Sequence, residues 1–179
     1  MNTNQNTGLA YSHTFETQRV YDFATQNKIG KTGADAIDNW LKFLGYQIED
    51  VSENKQYQKI DIDRLIIRPD NSITKAEYKT DVKAKQTGNL FFEHQSVEHR
   101  NIPGWGWKSQ ADLWIFYIPS QEILVVNPGK MRYLITETLP NLTKKIIPNQ
   151  GYNSTGYPIP LTDVREIVLH VYQLPKMPF

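Results

Sequence analysis

Ile60-Asp-Ile-Asp-Arg-Leu-Ile-Ile-Arg-Pro-Asp-Asn-Ser-Ile-Thr-Lys-Ala-Glu-Tyr-Lys-Thr-Asp81 is the stretch on which the fold turns. Its first part ends in the apolar run Leu65-Ile66-Ile67, and Arg68-Pro69-Asp70-Asn71 is a strong turn signal. The return segment from Ser72 to Val82 alternates along a strand. Ile73, Lys75, Glu77 and Lys79 fall on one face, and Thr74, Ala76, Tyr78 and Thr80 on the other. The stretch therefore reads as a β-hairpin with Asp61 and Asp63 on its first arm and Glu77 and Lys79 on its second.

Upstream, residues 1–13 are polar and read as a flexible tail, because they hold too little apolar surface to offset the entropy of ordering. Apolar positions at Phe15, Val20, Phe23 and Ala24 suggest a helix over 15–27. Ala34, Ile37, Leu41 and Leu44 recur at helical spacing and suggest a second, with Asp35 in its first turn and Gly45 as its stop. Tyr46 to Val51 is a short β-like run.

Downstream, Leu90-Phe-Phe-Glu-His94 reads as a third strand edge, and Asn101 to Ser109 as a loop. Ala111–Ile118 and Glu122–Val126 read as strands parted by Pro119-Ser120, and a helix is expected from Pro128 to Leu139. Residues 140–163 carry four prolines and two glycines without a sustained period and read as a long loop. Glu166 to Tyr172 is β-like. The order of elements is α/β (α+β), with a mixed central sheet.

The chain has 179 residues, enough for one domain with one core, expected over 14–179 with its centre at 32–126. Its net charge of +1 excludes coating by nucleic acid through bulk charge, so any polyanion contact must be local. The absence of cysteine excludes disulfides, zinc–cysteine sites and thiol nucleophiles, and an intracellular address is expected. Apolar runs such as Leu113–Ile118 are too short to span a membrane, and the start lacks an export signal, so no membrane partner is expected. Neither Gly-x-x-x-x-Gly-Lys nor Gly-x-Ser-x-Gly occurs, which leaves nucleotide triphosphatase and serine hydrolase chemistry without support and predicts no nucleotide cofactor.

The hairpin gathers carboxylates and one ammonium into a small patch. Clustered acids raise one another's pKa values unless a cation neutralises them. Mg2+ suits such a patch: it takes oxygen ligands, keeps several waters and often uses only one or two carboxylates together with substrate phosphate. Asp63 and Glu77 are the expected ligands, completed by the main-chain carbonyl of Tyr78. Lys79 is expected to orient the attacking water or offset charge in phosphodiester hydrolysis. The competing reading is a solvated sheet face with weak surface ion pairs.

Asp63 followed by Glu77-Tyr78-Lys79 on the next strand resembles the PD-(D/E)xK nuclease superfamily. The resemblance includes the helix ending Phe43-Leu-Gly45, then Asp61-Ile-Asp63, Ala76 to Asp81 and Thr87 to Glu93. It implies a restriction-endonuclease-like or Holliday-junction-resolvase-like αβββαβ core. It further implies Mg2+, with Mn2+ able to substitute, and a homodimer with one site per strand. Asp61 is two residues from Asp63 and could substitute or assist. On the preceding helix the chain offers Asp35 or Asp38 where the family usually has glutamate, and Glu93 resembles an acid that some members add beside the site. No proline precedes either aspartate.

Lys75, Lys83 and Lys85 lie along or just beyond the acid-bearing strand and are candidates for phosphate contact. Arg100, Trp105 and Lys108 lie on an aromatic and basic segment suited to DNA contact, as does Trp107, although a Trp is more often core. The expected activity is a Mg2+-dependent endodeoxyribonuclease, either structure-selective and resolvase-like or a compact restriction, phage or homing enzyme. The alternative is a catalytically silent nucleic-acid-binding or assembly module of the same fold.

Overall fold

The computed structural model describes residues 23–174; the expected tail at 1–13 and most of the first expected helix lie outside them. The chain runs through α1 (Phe23–Phe43), β1 (Gln47–Asp50), α2 (Lys55–Gln58), β2 (Arg64–Ile67), β3 (Ile73–Thr80), α3 (Ala84–Thr87) and β4 (Asn89–Val97). After a 3-10 turn it continues through β5 (Ile102–Pro103), α4 (Trp105–Lys108), β6 (Leu113–Ile118), β7 (Glu122–Val126) and α5 (Pro128–Tyr133). A π-helical turn at Leu134–Thr138 extends α5. Then come β8 (Lys145–Asn149), β9 (Tyr152–Pro160), α6 (Leu161–Ile167) and β10 (Val168–Gln173).

Six strands form a central mixed sheet in the order β1-β2-β3-β6-β7-β10, flanked by helices. The β2–β3 hairpin is antiparallel, with Arg64 opposite Ala76 and Ile67 opposite Ile73, as its turn residues predict. Strand β6 joins β3 in parallel, with Glu77 opposite Trp114 and Lys79 opposite Phe116. A parallel pair needs a long crossover, and everything from α3 to α4 supplies it. Helix, three antiparallel strands, crossover and parallel strand thus follow one another along the chain.

Each face of this sheet has its own core. On one, Ile37, Trp40 and Leu41 of α1 pack against Ile66, Ala76, Tyr78, Ile115 and Val125. On the other, Leu65, Trp114, Phe116 and Leu124 meet Leu90, Phe92, Ile159, Met131 and Val164. Full burial of one such side chain contributes about 1.5–3 kcal/mol.

Several expectations are corrected. The helix over 23–43 is continuous through Gly30 and Gly33 and is not divided before Ala34. Gly33 is needed for contact with the sheet, since a Cβ there would lie 1.8 Å from Thr80 Oγ1. The expected stop holds: Gly45 has φ +88°. The strand around Leu90–His94 is not an edge of the central sheet. It is β4 of a second sheet with the order β5-β4-β9-β8.

The expected loop at 140–163 is largely the β8–β9 hairpin of that second sheet, closed between Asn149 and Tyr152 with Gly151 at φ +85°. Proline is tolerated there because it cannot donate a ladder hydrogen bond and so sits on edges. Pro148 is on the edge strand β8. Pro158 and Pro160 lie beyond Gly156, where β9 pairs only with β4. At the chain's end, Glu166 and Ile167 belong to α6, and the strand begins at Val168.

Candidate metal and phosphodiester site

Glu77 and Lys79 lie on the face of β3 opposite Ala76 and Tyr78, which pack beneath α1. Glu77 is 3 % exposed, and Lys79 Nζ lies 2.5 Å from its Oε1. Its other oxygen, Oε2, is buried and has no hydrogen-bond partner. Burial pushes the Glu77 carboxyl up to about 7; Lys79 opposes this, and Asp63 and Asp61 add to it. Burial disfavours the Lys79 ammonium, but Glu77, Asp63 and Glu93 together hold its pKa above the ordinary lysine value.

Asp63 enters from the start of β2. Its N–H donates to Ala76 O at 2.9 Å, and its carboxylate Oδ2 accepts from Tyr78 N at 2.9 Å. In an extended strand a residue's N–H and C=O point toward the same edge. The Tyr78 carbonyl is therefore directed to the side from which the Asp63 carboxylate approaches.

Asp61 is reached differently from the way strand periodicity suggests. Its φ of +48° takes it out of the extended chain, so it does not repeat the direction of Asp63. Lys108 Nζ lies 3.1 Å from Asp61 Oδ1, while Asp61 Oδ2 is buried without a partner.

Glu93 joins from β4, across the gap between the two sheets. Its Oε2 accepts from Trp105 N at 3.1 Å. Burial raises its pKa, against the pull of that N–H and of Lys79. Gly104 permits the contact, because a Cβ there would lie 2.6 Å from the Glu93 carbonyl oxygen.

Asp61, Asp63, Glu77, Lys79 and Glu93 thus share one electrostatic environment. Asp35 is exposed on α1 and has no part in it. Asp38, the other helix acid, is taken up by Arg64, whose Nε lies 3.1 Å from Asp38 Oδ2 and whose Nη1 lies 2.7 Å from Asp50 Oδ1.

The structure also places the expected nucleic-acid contacts. Trp105 is half-buried: its ring packs against Phe92, Trp114 and Phe116, and Lys79 Nζ stands 5.1 Å from the ring centroid. Trp107 donates from Nε1 to His94 Nδ1 and packs on Phe92. Lys83 and Lys85 are exposed around α3, Lys75 is exposed toward the hairpin turn, and Arg100 is exposed on the 3-10 turn after β4.

Sequence reading missed a cleft of about 850 Å³ beside Lys79, lined from the second sheet by Lys145, Asn149 and Phe91 among others. Asn149-Gln150-Gly151-Tyr152, a two-residue turn between short strands, was the signal that could have found its wall.

The donor set suits a hard divalent cation: two carboxylates, one of them with a buried unpartnered oxygen, and a main-chain carbonyl directed alongside. Among the described residues no group of three or more His, Asp or Glu side chains forms a ready metal cage. Also among them, no helix is long and apolar enough to cross a membrane.

No protein-family model and no curated protein matches the chain. Among solved structures, it is similar to a bacterial homing endonuclease with a TM-score of 0.46 and 15% sequence identity. The similarity covers 59% of this chain and 71% of that one.

Proposed function

We propose that the protein is a divalent-metal-dependent endonuclease that hydrolyses DNA phosphodiester bonds. The observation that carries this reading is the buried, partly unsatisfied Glu77 carboxylate between Asp63 and Lys79. A structural ion pair on a solvated sheet face would leave neither the burial nor the unpartnered oxygen. Asp63, Glu77 and the Tyr78 carbonyl would hold Mg2+, with Mn2+ able to substitute and Asp61 and Glu93 in reserve.

When bound, the cation supplies Lewis-acid stabilisation of phosphoryl charge and a more acidic water. The chain's own residues do the rest. The Tyr78 N–H fixes the Asp63 carboxylate by engaging Oδ2. Lys79 is held over the Trp105 ring with a firmly retained proton, and it orients the nucleophilic water and offsets charge developing on phosphorus oxygens. Glu77, its partner through Oε1, would offer a cation its buried, unpartnered Oε2. Glu93 keeps Trp105 in place through its main-chain N–H. Exposed Lys75, Lys83, Lys85, Arg100 and Lys108 are proposed phosphate contacts, and a homodimer would place one site on each strand.

The test is nicking of supercoiled plasmid and of branched DNA as Mg2+ is titrated. Metal-dependent nicking by the wild type, lost in Asp63→Ala and Glu77→Gln with folding retained, supports the enzyme. DNA binding without cleavage of either substrate at any Mg2+ or Mn2+ concentration overturns it in favour of a silent binding module. Light scattering with and without DNA tests the homodimer.

A further inference from the structure

The geometry points to a subsite for one unpaired nucleotide in the cleft beside Lys79, so that the protein selects DNA whose bases are already unstacked next to the bond it cuts. This rests on the nuclease reading above for its last clause and on the cleft alone for its first.

The cleft has the size of a small-molecule site, about 850 Å³ against roughly 300–1,000 Å³ for ligand pockets in general. A base held in a duplex cannot turn into such a space; an unpaired one can.

One wall is a single face of the second sheet. Residues directly opposite in antiparallel strands share a face. Asn89 and Phe91 of β4 therefore align with Pro160 and Pro158 of β9, while Lys145, Ile147 and Asn149 of β8 continue the same surface. The alternate residues Leu90 and Phe92 go into the core. An aromatic ring and a proline thus stand at the cleft with amide side chains around them, which is the chemistry that holds a base by its face and edge.

The charge agrees. Lys79, Lys83 and Lys145 line the cleft and Asp81 is its one acidic residue. The Asp81 carboxylate is occupied by three backbone N–H groups: Oδ1 accepts from Lys83 and Ala84, and Oδ2 from Phe91. With Lys79 paired to Glu77, Lys83 and Lys145 are the cations the lining offers against Asp81, a small positive excess that suits a phosphate-bearing ligand.

Continuity supplies the last step. Lys79 belongs both to this lining and to the carboxylate cluster. Glu93 lies two residues beyond Phe91 on β4, so the strand leads from the cleft to the acids. A nucleotide seated on Phe91 would bring an adjoining phosphate to Lys79.

The experiment is fluorescence anisotropy in EDTA, where no cleavage occurs, with the full chain and two labelled hairpin duplexes. One is fully paired and the other carries a gap of about four nucleotides. The gapped DNA should bind more tightly by about tenfold, the order expected for one stacked base. Phe91→Ala, which removes the ring proposed to stack on the base, should abolish that preference while leaving the far-UV spectrum unchanged. Lys83→Ala with Lys145→Ala should reduce the salt slope for gapped DNA by about 0.7 for each lysine removed. Equal affinity for the two DNAs, or a preference that survives Phe91→Ala, overturns the subsite.

The two readings fail separately. Selective binding of gapped DNA by a protein that never nicks with Mg2+ keeps the subsite and removes the nuclease. Metal-dependent nicking without selectivity does the reverse.

Discussion

The six-stranded and four-stranded sheets dispose of their faces in opposite ways. Strands β6 and β7 of the large sheet are buried nearly throughout, between α1 on one side and the small sheet with α5 and α6 on the other. Strand β4 of the small sheet buries Leu90 and Phe92 and turns Asn89, Phe91 and Glu93 toward the cleft and the acids. The large sheet therefore acts as a stiff platform that can hold Glu77 in a dry place at the cost of raising its pKa. The small sheet gives up half its possible burial to present a wall. Burial and an open wall are divided between them, and the acidic cluster lies where they meet.

If the chemistry belongs to the platform and only support to the wall, the largest effects should come from the large sheet. Lys79→Met should lower metal-dependent nicking by about 10²–10³-fold, whereas Glu93→Gln, which keeps an acceptor for Trp105 N–H, should cost about tenfold. Initial-rate assays on plasmid would break the division of labour if Glu93→Gln proved the more damaging.

Adjacent residues of β4 sharpen the contrast in stability. Phe92→Ala removes a ring that is 1 % exposed and should cost about 3–5 kcal/mol. Phe91→Ala removes a half-buried ring facing the cleft and should cost about 1–2 kcal/mol, in keeping with its smaller buried area. Urea denaturation of the two variants compares them directly; equal losses would mean that the cleft face is core after all.

Next in size is a pH effect set by the platform. Folded Glu77 holds its proton up to about 7, from an ordinary value of 4.5. Between those two values the folded state binds more protons than the unfolded one. The metal-free protein should therefore lose stability as pH rises through that window, by about 1–3 kcal/mol in all, and level off above it. Denaturation midpoints at a series of pH values should show the decline in the wild type and its absence in Glu77→Gln.

The smallest effect belongs to the rim. Lys108→Ala breaks the pair with Asp61, in which the lysine side chain is 40 % exposed, and should change stability by less than about 1 kcal/mol. A loss several times larger would move Lys108 from the rim into the framework.

The β2–β3 hairpin was readable because its signals are local: an apolar first arm, a Pro-Asp-Asn turn and an alternating return arm, in strands four and eight residues long. β6 and β7 were equally readable, since burial on both faces writes them as apolar runs. The small sheet was not. Its central pair joins Asn89 with Pro160 and Gln95 with Thr155, residues far apart in the chain, and its prolines look like loop signals until the vacant edge of β9 is seen. Asp61 was misplaced for a related reason, because a single left-handed residue ends the period-two repeat and nothing in Asp-Ile-Asp announces it.

By itself, the order of residues determined that Glu77 and Lys79 share one face of a strand and that a carboxylate from the preceding arm approaches them. These are consequences of backbone periodicity and turn chemistry acting over a few residues. Only the tertiary structure decided that Glu93, Trp105 and Lys108 converge on the same point, that Asp38 is held by Arg64, and that Glu77 is dry enough to keep its proton near neutrality. Desolvation and convergence depend on what packs across the gap between two sheets, and that packing is set by pairings formed between segments remote in sequence.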